Sequence, residues 1–305
     1  MRRLAVILGA AACLASGAAA AAEPLLWRVS GGRAPVFIVG STPAAPADGR
    51  WRTPALQHAA AAAQEIWFVT PFGLPGPMTA LRMLATIQTQ GRLPDGERLS
   101  AMLSPDGRAR LARLAVLDNI PLERLDRMTP WNAQITLALA ARRRDGSIKG
   151  FPVERYVVDS APKGAPRRGF DNLETDLKLL IATPRKEQIY DLEEAMRRYE
   201  DPAQNARYGE AWAAGDQDWI LREREERLRQ NAPVTYATMQ AGPRERWADQ
   251  IIALSRGARP AIVVVDAANL VGPESLIARL KRRGAQVEEI GTASSPAAVL
   301  AGRAP

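Results

Sequence analysis

Residues 261–272 read AIVVVDAANLVG, and this stretch decides the class of fold. Its first part, Ala261 to Asp266, is rich in β-branched side chains, which is typical of a strand buried on both faces of a sheet. The residues that follow predict a helix over Glu274 to Arg283 and a further strand over Gln286 to Ile290. Strand, helix and strand in this order predict a βαβ unit.

The beginning of the chain has a second set of strand patterns. Leu25 to Ser30 and Pro35 to Gly40 are short apolar runs on either side of a Gly-Gly pair, which predicts a hairpin. Thr53 to Gln64 predicts a helix that Thr53 caps, with proline at its first position. Glu65 to Val69, sequence EIWFV, predicts another strand. Strands therefore lie toward both ends of the chain.

The residues between these strand regions are mostly helical in pattern, with apolar side chains at i, i+3 and i+4. The prediction is an α/β fold: a central mixed β-sheet from strands at both ends of the chain, with a long helical middle region. We expect one domain over residues 23–293 that carries a helical insertion at about 77–256, and a flexible tail over 294–305. The predicted helices are Thr79 to Thr89, Leu99 to Asp118 with a break at Pro105, Pro130 to Arg144, Val153 to Ser160, Leu173 to Thr183, Pro184 to Tyr199, Pro202 to Ala214, Trp219 to Asn231 and Arg244 to Arg256.

Residues 1–22 have the pattern of a bacterial secretory signal peptide. A positive start is followed by an apolar stretch and an Ala-x-Ala site ahead of Glu23. Lipidation at Cys13 is not expected, because the residues before it lack the leucine that such a site prefers. No later stretch is apolar over the ~18 residues that a membrane span needs. The sequence therefore predicts an exported protein, periplasmic or secreted, with no transmembrane span after processing.

The composition excludes several kinds of site. The chain has one His and one Cys, too few for a zinc finger, an iron–sulfur site or a disulfide framework. The single histidine, His58, falls in the alanine-rich predicted helix and is interpreted as a helix-surface or capping residue. The net charge of +8 raises an anion or nucleic-acid binder as one hypothesis. No basic run is interleaved with stacking aromatics, so no nucleic-acid partner is predicted.

The ends of the predicted strands are where a ligand should bind, because open α/β sheets bind ligands at the carboxyl ends of their strands. The first strand end offers Ser41 and Thr42, which could supply a nucleophile, although no histidine is left to activate it, or form a turn that binds its own backbone. The next strand ends at Thr70, and the late strand ends at Asp266. Asn269 follows and could either contact a ligand or cap the helix after Gly272.

Several segments, taken in order, resemble the TraB/GumN family, whose relatives include the Tiki proteases. They read LLWRVSGG, VFIVGST, LDRMTPW, NLETDLKLL, YGEAWAAGD and VVVDAANLVG, and the resemblance covers roughly residues 26–290. It implies an α/β sheet with a helical insertion, which agrees with the pattern of strands and helices. It also implies metal-dependent peptide hydrolysis as the family activity.

The family's proposed catalytic residues are mostly replaced here. The His that closes a G-T-x-H motif is Pro43, and the Glu at the end of the next strand is Thr70. The second Glu is kept as Glu174, and the Arg of an Arg-Asn pair falls near Arg244. The second His is Asn269. Proline has no side-chain donor atom for a metal, and neutral oxygens are weak ligands.

The resemblance therefore implies a degenerate member that lacks the motif histidines, with no metal site and no other cofactor. The leading hypothesis is a pseudoenzyme that binds or regulates an unknown peptide, protein or small molecule. The alternative is a peptidase-like hydrolase that uses the remaining carboxylates Glu174 and Asp266, although Glu174 could equally be an exposed residue in the first turn of a helix. Glu174 is the candidate catalytic residue, and the candidate binding residues are Ser41, Thr42, Thr70, Arg244, Asp266 and Asn269.

Overall fold

The computed structural model describes residues 24–69, 75–147, 151–291 and 299. The predicted signal peptide, Thr70 and, apart from Val299, the predicted tail lie outside the described residues.

A six-stranded sheet forms the centre of the molecule, with the strand order β4-β3-β5-β2-β1-β6. The run β4, β3, β5, β2 is parallel, whereas β1 is antiparallel to both of its neighbours, β2 and β6. This confirms a mixed sheet built from strands near both ends of the chain. The strands are β1 (Leu26–Ser30), β2 (Val36–Ser41), β3 (Glu65–Phe68), β4 (Arg167–Gly169), β5 (Ala261–Asp266) and β6 (Gln286–Glu289).

The late strand β5 is the middle of the parallel run and pairs with both β2 and β3. Its first five residues are buried, as is the whole of β2. The continuous apolar run is explained by this position, because a parallel strand covered on both faces has no solvent side. The predicted βαβ unit is present, but its two strands are not neighbours. β6 follows β5 in the chain, whereas β2 and β1 lie between them in the sheet.

The predicted hairpin at the start of the sheet is confirmed. Leu26 pairs with Val39, and Val29 pairs with Val36. Gly31 in the connecting turn has a φ of 84°, a left-handed conformation that glycine adopts without strain.

Helices fill most of the chain between β3 and β5, as predicted. This region is not purely helical, because the short edge strand β4 arises within it. The helices are α1 (Pro54–Ala62), α2 (Pro77–Gln90), α3 (Leu99–Met102), α4 (Pro105–Leu117), α5 (Leu122–Asp126), α6 (Pro130–Arg144), α7 (Pro152–Ser160), α8 (Leu173–Ala182), α9 (Arg185–Glu200), α10 (Pro202–Ala213), α11 (Gln217–Ile220), α12 (Arg227–Asn231), α13 (Pro233–Thr235), α14 (Gly242–Arg256) and α15 (Leu276–Arg282), with π-helical segments at Leu221–Glu226 and Tyr236–Ala241 and a 3-10 turn at Ala267–Leu270.

The helix starts follow the sequence signals. At α1 the Thr53 hydroxyl accepts a hydrogen bond from the Leu56 backbone N–H at 3.2 Å, and Pro54 occupies the first position. This matches the predicted cap, in which a side-chain oxygen satisfies an N–H that has no partner within the helix.

Two hydrophobic clusters divide the interior. The larger one packs the sheet against α1, α7, α10, α14 and α15. The smaller one lies among α3, α4, α5, α6 and α9, away from the sheet. Trp131 of α6 and Trp212 of α10 are buried. The indole N–H of Trp212 also donates to the Gly40 carbonyl at 2.9 Å, so α10 is fixed to the end of β2.

Val299, within the predicted tail, is buried in the larger cluster, and its carbonyl accepts a hydrogen bond from Arg28 at 3.1 Å. This position therefore contacts the sheet. Within the described part of the chain, every helix is too short or too polar to cross a lipid bilayer.

Candidate functional site

The carboxyl ends of β2 and β5 lie side by side, with Ser41 paired to Asp266. Ser41 and Thr42 are both buried. The Thr42 hydroxyl accepts the Ala44 backbone N–H at 3.3 Å, which agrees with the interpretation of a turn that binds its own backbone. The structure therefore brings three of the predicted binding residues to one edge of the sheet.

The Asp266 carboxylate is held by two donors. Its Oδ1 accepts the Ala268 backbone N–H at 2.9 Å and the hydroxyl of Tyr208 on α10 at 3.2 Å. Burial raises the pKa of Tyr208 well above its ordinary value, and the charge of Asp266 adds to this. The Tyr208 phenol therefore stays protonated and serves as a permanent hydrogen-bond donor to Asp266.

Glu154, in the first turn of α7, is a second carboxyl group at this edge. Its Oε2 is buried with no hydrogen-bond partner among the described residues. Burial raises the pKa of Glu154 to about 7, and the nearby charge of Asp266 adds to the increase. Hydrogen bonding to its own backbone and to Ser41, and the positive charge of Arg142, act in the opposite direction. This carboxyl group can therefore gain or lose a proton near neutral pH.

Two guanidinium groups, Arg198 of α9 and Arg224 of the first π-helical segment, complete the cluster. The Arg224 guanidinium lies 4.6 Å from the ring centre of Tyr208. Burial acts to lower the pKa of Arg224, but Tyr208, Asp266 and Glu225 together raise it. Burial and the charge of Arg224 lower the pKa of Arg198. None of the ion pairs among the described residues involves either guanidinium.

Arg198 and Arg224 form a wall that two cavities share. A cavity of about 420 Å³ also contacts Asp191, Glu225 and Asp266, and we call it the acidic cavity. A cavity of about 770 Å³ is lined instead by small apolar residues of the loop after Pro43 and of α6, and we call it the alanine-walled cavity. The candidate site therefore has two compartments that meet at a pair of arginines.

Arg244, predicted as a binding residue, is fully buried in α14. Its Nε donates to Asn269 Oδ1 at 2.9 Å, and its Nη2 donates to Glu225 Oε1 at 2.7 Å. Burial raises the pKa of Glu225, and Arg244 opposes this. One alternative for Asn269 was wrong: Ser275 caps α15, accepting the Ala278 N–H at 3.1 Å, because Asn269 lies earlier in a 3-10 turn with its side chain directed to Arg244.

Glu174 has different surroundings. It lies in the first turn of α8 and accepts a hydrogen bond from Arg82 Nε of α2 at 2.8 Å. This hydrogen bond lowers the pKa of Glu174, so the carboxylate is charged at neutral pH. Glu174 and Asp266 share no hydrogen-bond partner among the described residues. The structure does not bring Glu174 into the cluster around Asp266, and Thr70 lies outside the described residues.

The side chains at this edge do not fit the metal site that the resemblance implies. In the described ranges, no three His, Cys, Asp or Glu side chains form a group that could hold a metal ion. The Asp266 oxygen that contacts its neighbours is engaged by Tyr208, and the Asn269 oxygen is engaged by Arg244. The nearby guanidinium of Arg224 would also repel a cation.

Sequence reasoning missed Glu154, Tyr208, Arg198 and Arg224. Tyr208 had a usable signal, because it belongs to the YGEAW segment that carries the resemblance. The other three are charged residues in amphipathic helices, where a solvent-facing position is the ordinary expectation. Only the tertiary fold shows that their helices meet at the end of the sheet.

The sheet is mixed, a helical insertion precedes its central strand, and a polar cluster lies at its carboxyl edge. These features define an α/β protein of the kind that binds ligands beyond the strand ends. The profile of the TraB/PrgY/gumN family matches residues 25–289, and the chain belongs to this family. No curated protein and no solved structure matches the chain significantly.

Proposed function

We propose that this protein is a non-catalytic, ligand-binding member of its family, and that its ligand occupies the carboxyl edge of β2 and β5. The observation that carries the proposal is the hydrogen bond between Arg244 and Asn269. Asn269 stands where the family pattern has its second histidine, and its side-chain oxygen is committed to a buried guanidinium.

A metal ligand must offer a free lone pair to the ion. Asn269 is a neutral oxygen ligand at best, and a cation bound there would lie beside the positive charge of Arg244. Pro43, at the other histidine position, has no side-chain donor atom. The two substitutions together leave the scaffold of a metallohydrolase without the ligands that would lower the pKa of a bound water.

The proposed place of action is outside the cytoplasm. The support is the signal-peptide pattern of residues 1–22, which predicts export to the periplasm or the medium. The ligand belongs to the broad class of peptides, proteins or small molecules.

Metal titration tests this proposal directly. The protein, purified without chelators, is titrated with Mn²⁺, Co²⁺ and Zn²⁺ in a calorimeter and assayed with a mixed peptide library. We expect no stoichiometric metal binding and no cleavage. Stoichiometric binding that is lost in Glu174→Gln or Asp266→Asn would overturn the proposal.

A peptidase-like hydrolase is the second candidate, and one observation favours it. Glu154 has a pKa of about 7 and lies near Asp266, which is a suitable combination for moving a proton in catalysis. The sequence alone predicts that such a hydrolase would use Glu174 and Asp266. Turnover that Asp266→Asn and Glu154→Gln abolish, but Glu174→Gln retains, would support a hydrolase without Glu174.

A further inference from the structure

We infer that the alanine-walled cavity binds an oxyanion, a carboxylate or a phosphate group, through Arg198 and Arg224. The inference rests on the proposed function, since it names the class of ligand for the same edge of the sheet. It is carried by the position of two guanidiniums, without ion pairs to described carboxylates, in the wall of a cavity large enough for a small molecule.

The two arginines are close enough to influence each other. The charge of Arg224 lowers the pKa of Arg198, which means that the two positive charges repel. Burying two like charges that form no direct ion pair is unfavourable, and an anion placed between them would relieve both the desolvation and the repulsion. Guanidinium groups suit this role because they present several N–H donors to carboxylate or phosphate oxygens.

The carboxylates that line the same cavity have partners other than Arg198 and Arg224. Arg50 forms ion pairs with both Asp48, at 3.5 Å, and Glu210. Asp145 accepts hydrogen bonds from the backbone N–H of Ser147 at 2.9 Å and from its hydroxyl at 2.6 Å. None of these three acids forms an ion pair with Arg198 or Arg224 among the described residues.

Other carboxylates act on the arginines from the acidic cavity. Asp191 and Glu194 attract Arg198, and Asp266 and Glu225 attract Arg224. None of these four lines the alanine-walled cavity. They keep the guanidiniums charged and in place, while the donors that face the larger cavity remain available.

Arg142 adds a third positive charge to the cavity wall. Its Nη2 donates to the Ser147 carbonyl at 3.1 Å, and the guanidinium lies 4.7 Å from the ring centre of Phe151. Neither contact neutralises its charge. Apolar parts of the wall are formed by Phe151 and by alanines such as Ala138 and Ala141, beside the polar residues Arg144, Tyr199 and Asn205 and the carboxylates already named. The shape therefore suits a ligand with a charged head and a small apolar body.

Calorimetric titration of the full chain at low salt tests the inference. One arm uses inorganic phosphate. The other uses acetyl-trialanine with a free terminal carboxylate, and the same peptide with a terminal amide serves as its neutral counterpart. We expect saturable one-to-one binding in at least one arm. Phosphate binding alone identifies a phosphate group as the ligand head, and peptide binding that needs the free carboxylate identifies a carboxylate.

Arg198→Met should weaken this binding about tenfold or more, because it removes a charge-assisted donor. Arg229→Met is the matched control: Arg229 is exposed on α12, carries the same charge and lines neither cavity, so binding should stay within about twofold. Arg198→Lys keeps the charge and should lose less than Arg198→Met. Arg142→Met provides a second lining variant should Arg198→Met fail to give native circular dichroism.

The inference is overturned if neither probe binds saturably, if the amide peptide binds as well as the acid, or if lining and control variants bind equally. These outcomes are separate from those of the metal titration. Stoichiometric metal would remove the proposed function, whereas loss of oxyanion binding with a negative metal titration would remove only the ligand class.

Discussion

Two ion pairs at positions carried by the family resemblance lie in opposite surroundings. Arg244 and Glu225 are buried between α14 and the π-helical segment, with side chains 0% and 6% exposed. Arg82 and Glu174 connect α2 and α8 at the surface, with side chains 57% and 30% exposed. The same chemical groups therefore contribute differently to stability. Breaking the buried pair would leave a charge unpaired in the interior, whereas breaking the exposed pair would change the free energy of unfolding little.

This contrast also explains why a retained motif residue is a poor guide to the site. Glu174 survives from the family pattern, but it is partly exposed and forms an ion pair with Arg82 at the surface. Glu154 belongs to no quoted motif, yet burial makes its charge state sensitive near neutral pH. Environment, and not residue identity, sets what each carboxyl group can do.

The largest effect should come from breaking the buried pair. Arg244→Met leaves Glu225 buried without its cation, and we expect the free energy of unfolding to fall by about 3 to 5 kcal/mol. Urea denaturation measures this. The double variant Glu225→Gln with Arg244→Met should recover part of the loss, because no unpaired charge remains. Equal stability of the wild type and Arg244→Met would show that the pair is not buried in solution.

Glu154→Gln should have the next largest effect, and that effect should depend on pH. The folded state holds the Glu154 proton more tightly than the unfolded chain does, since its pKa is raised from 4.5 to about 7. Wild-type stability should therefore fall as the pH rises through this window. At pH 8 the glutamine variant should be more stable than the wild type by roughly 2 to 3 kcal/mol, and at pH 4 the two should agree.

Thermal unfolding of both proteins between pH 4 and pH 8 makes this measurement. Burial also raises the pKa of Asp191 to about 6, so a smaller slope of the same sign should remain in Glu154→Gln. A wild-type curve with the opposite slope over this range would contradict the buried position of Glu154.

Gly209→Ala tests how closely α10 packs against the strand end. A Cβ at Gly209 would collide with the Ala44 carbonyl oxygen in the loop that follows β2. Because backbone must shift, we expect a loss of about 1 to 3 kcal/mol despite the better helix propensity of alanine. Gly76→Ala is the control, since no described atom lies within 4 Å of its Cβ position. Equal midpoints for the two variants would mean that α10 does not press on this loop.

Glu174→Gln should produce the smallest effect. The pair with Arg82 is exposed and screened by solvent, so we expect no measurable change in the unfolding midpoint. Arg82→Gln should behave in the same way. A large loss in either variant would mean that α2 and α8 depend on this contact and that the surface pair resembles the buried one more than its exposure indicates.

Much of the fold follows from local sequence. The hairpin of β1 and β2, the buried strand β5 and the cap of α1 by Thr53 are each written in a few adjacent residues. The strand β4 was less evident, because Arg167 to Gly169 has no β-rich or alternating pattern. Its side-chain contacts to β3, an ion pair of Arg168 with Glu65 at 3.6 Å and the position of the Arg168 guanidinium over Trp67, form only once the two strands are paired.

Only the strand-end residues of the candidate site could be predicted from the sequence. Ser41 and Asp266 follow from the rule that strand ends bind ligands, and the structure pairs them. Arg198 and Arg224 come from helices far along the chain, and nothing in their local pattern distinguishes them from solvated arginines. Their position depends on how α9 and the π-helical segment dock, which is a property of tertiary packing.

The position of β5 in the sheet has a consequence for how the chain folds. Its two partners, β2 and β3, precede it by the whole helical insertion, so the parallel core requires contacts between residues about two hundred positions apart. Contacts of such long sequence separation slow folding. Until Ala261–Asp266 is available, β2 and β3 present unpaired apolar edges of the kind that promote aggregation. A nascent chain would therefore depend on chaperones, or on rapid completion of its synthesis, until the central strand β5 is in place.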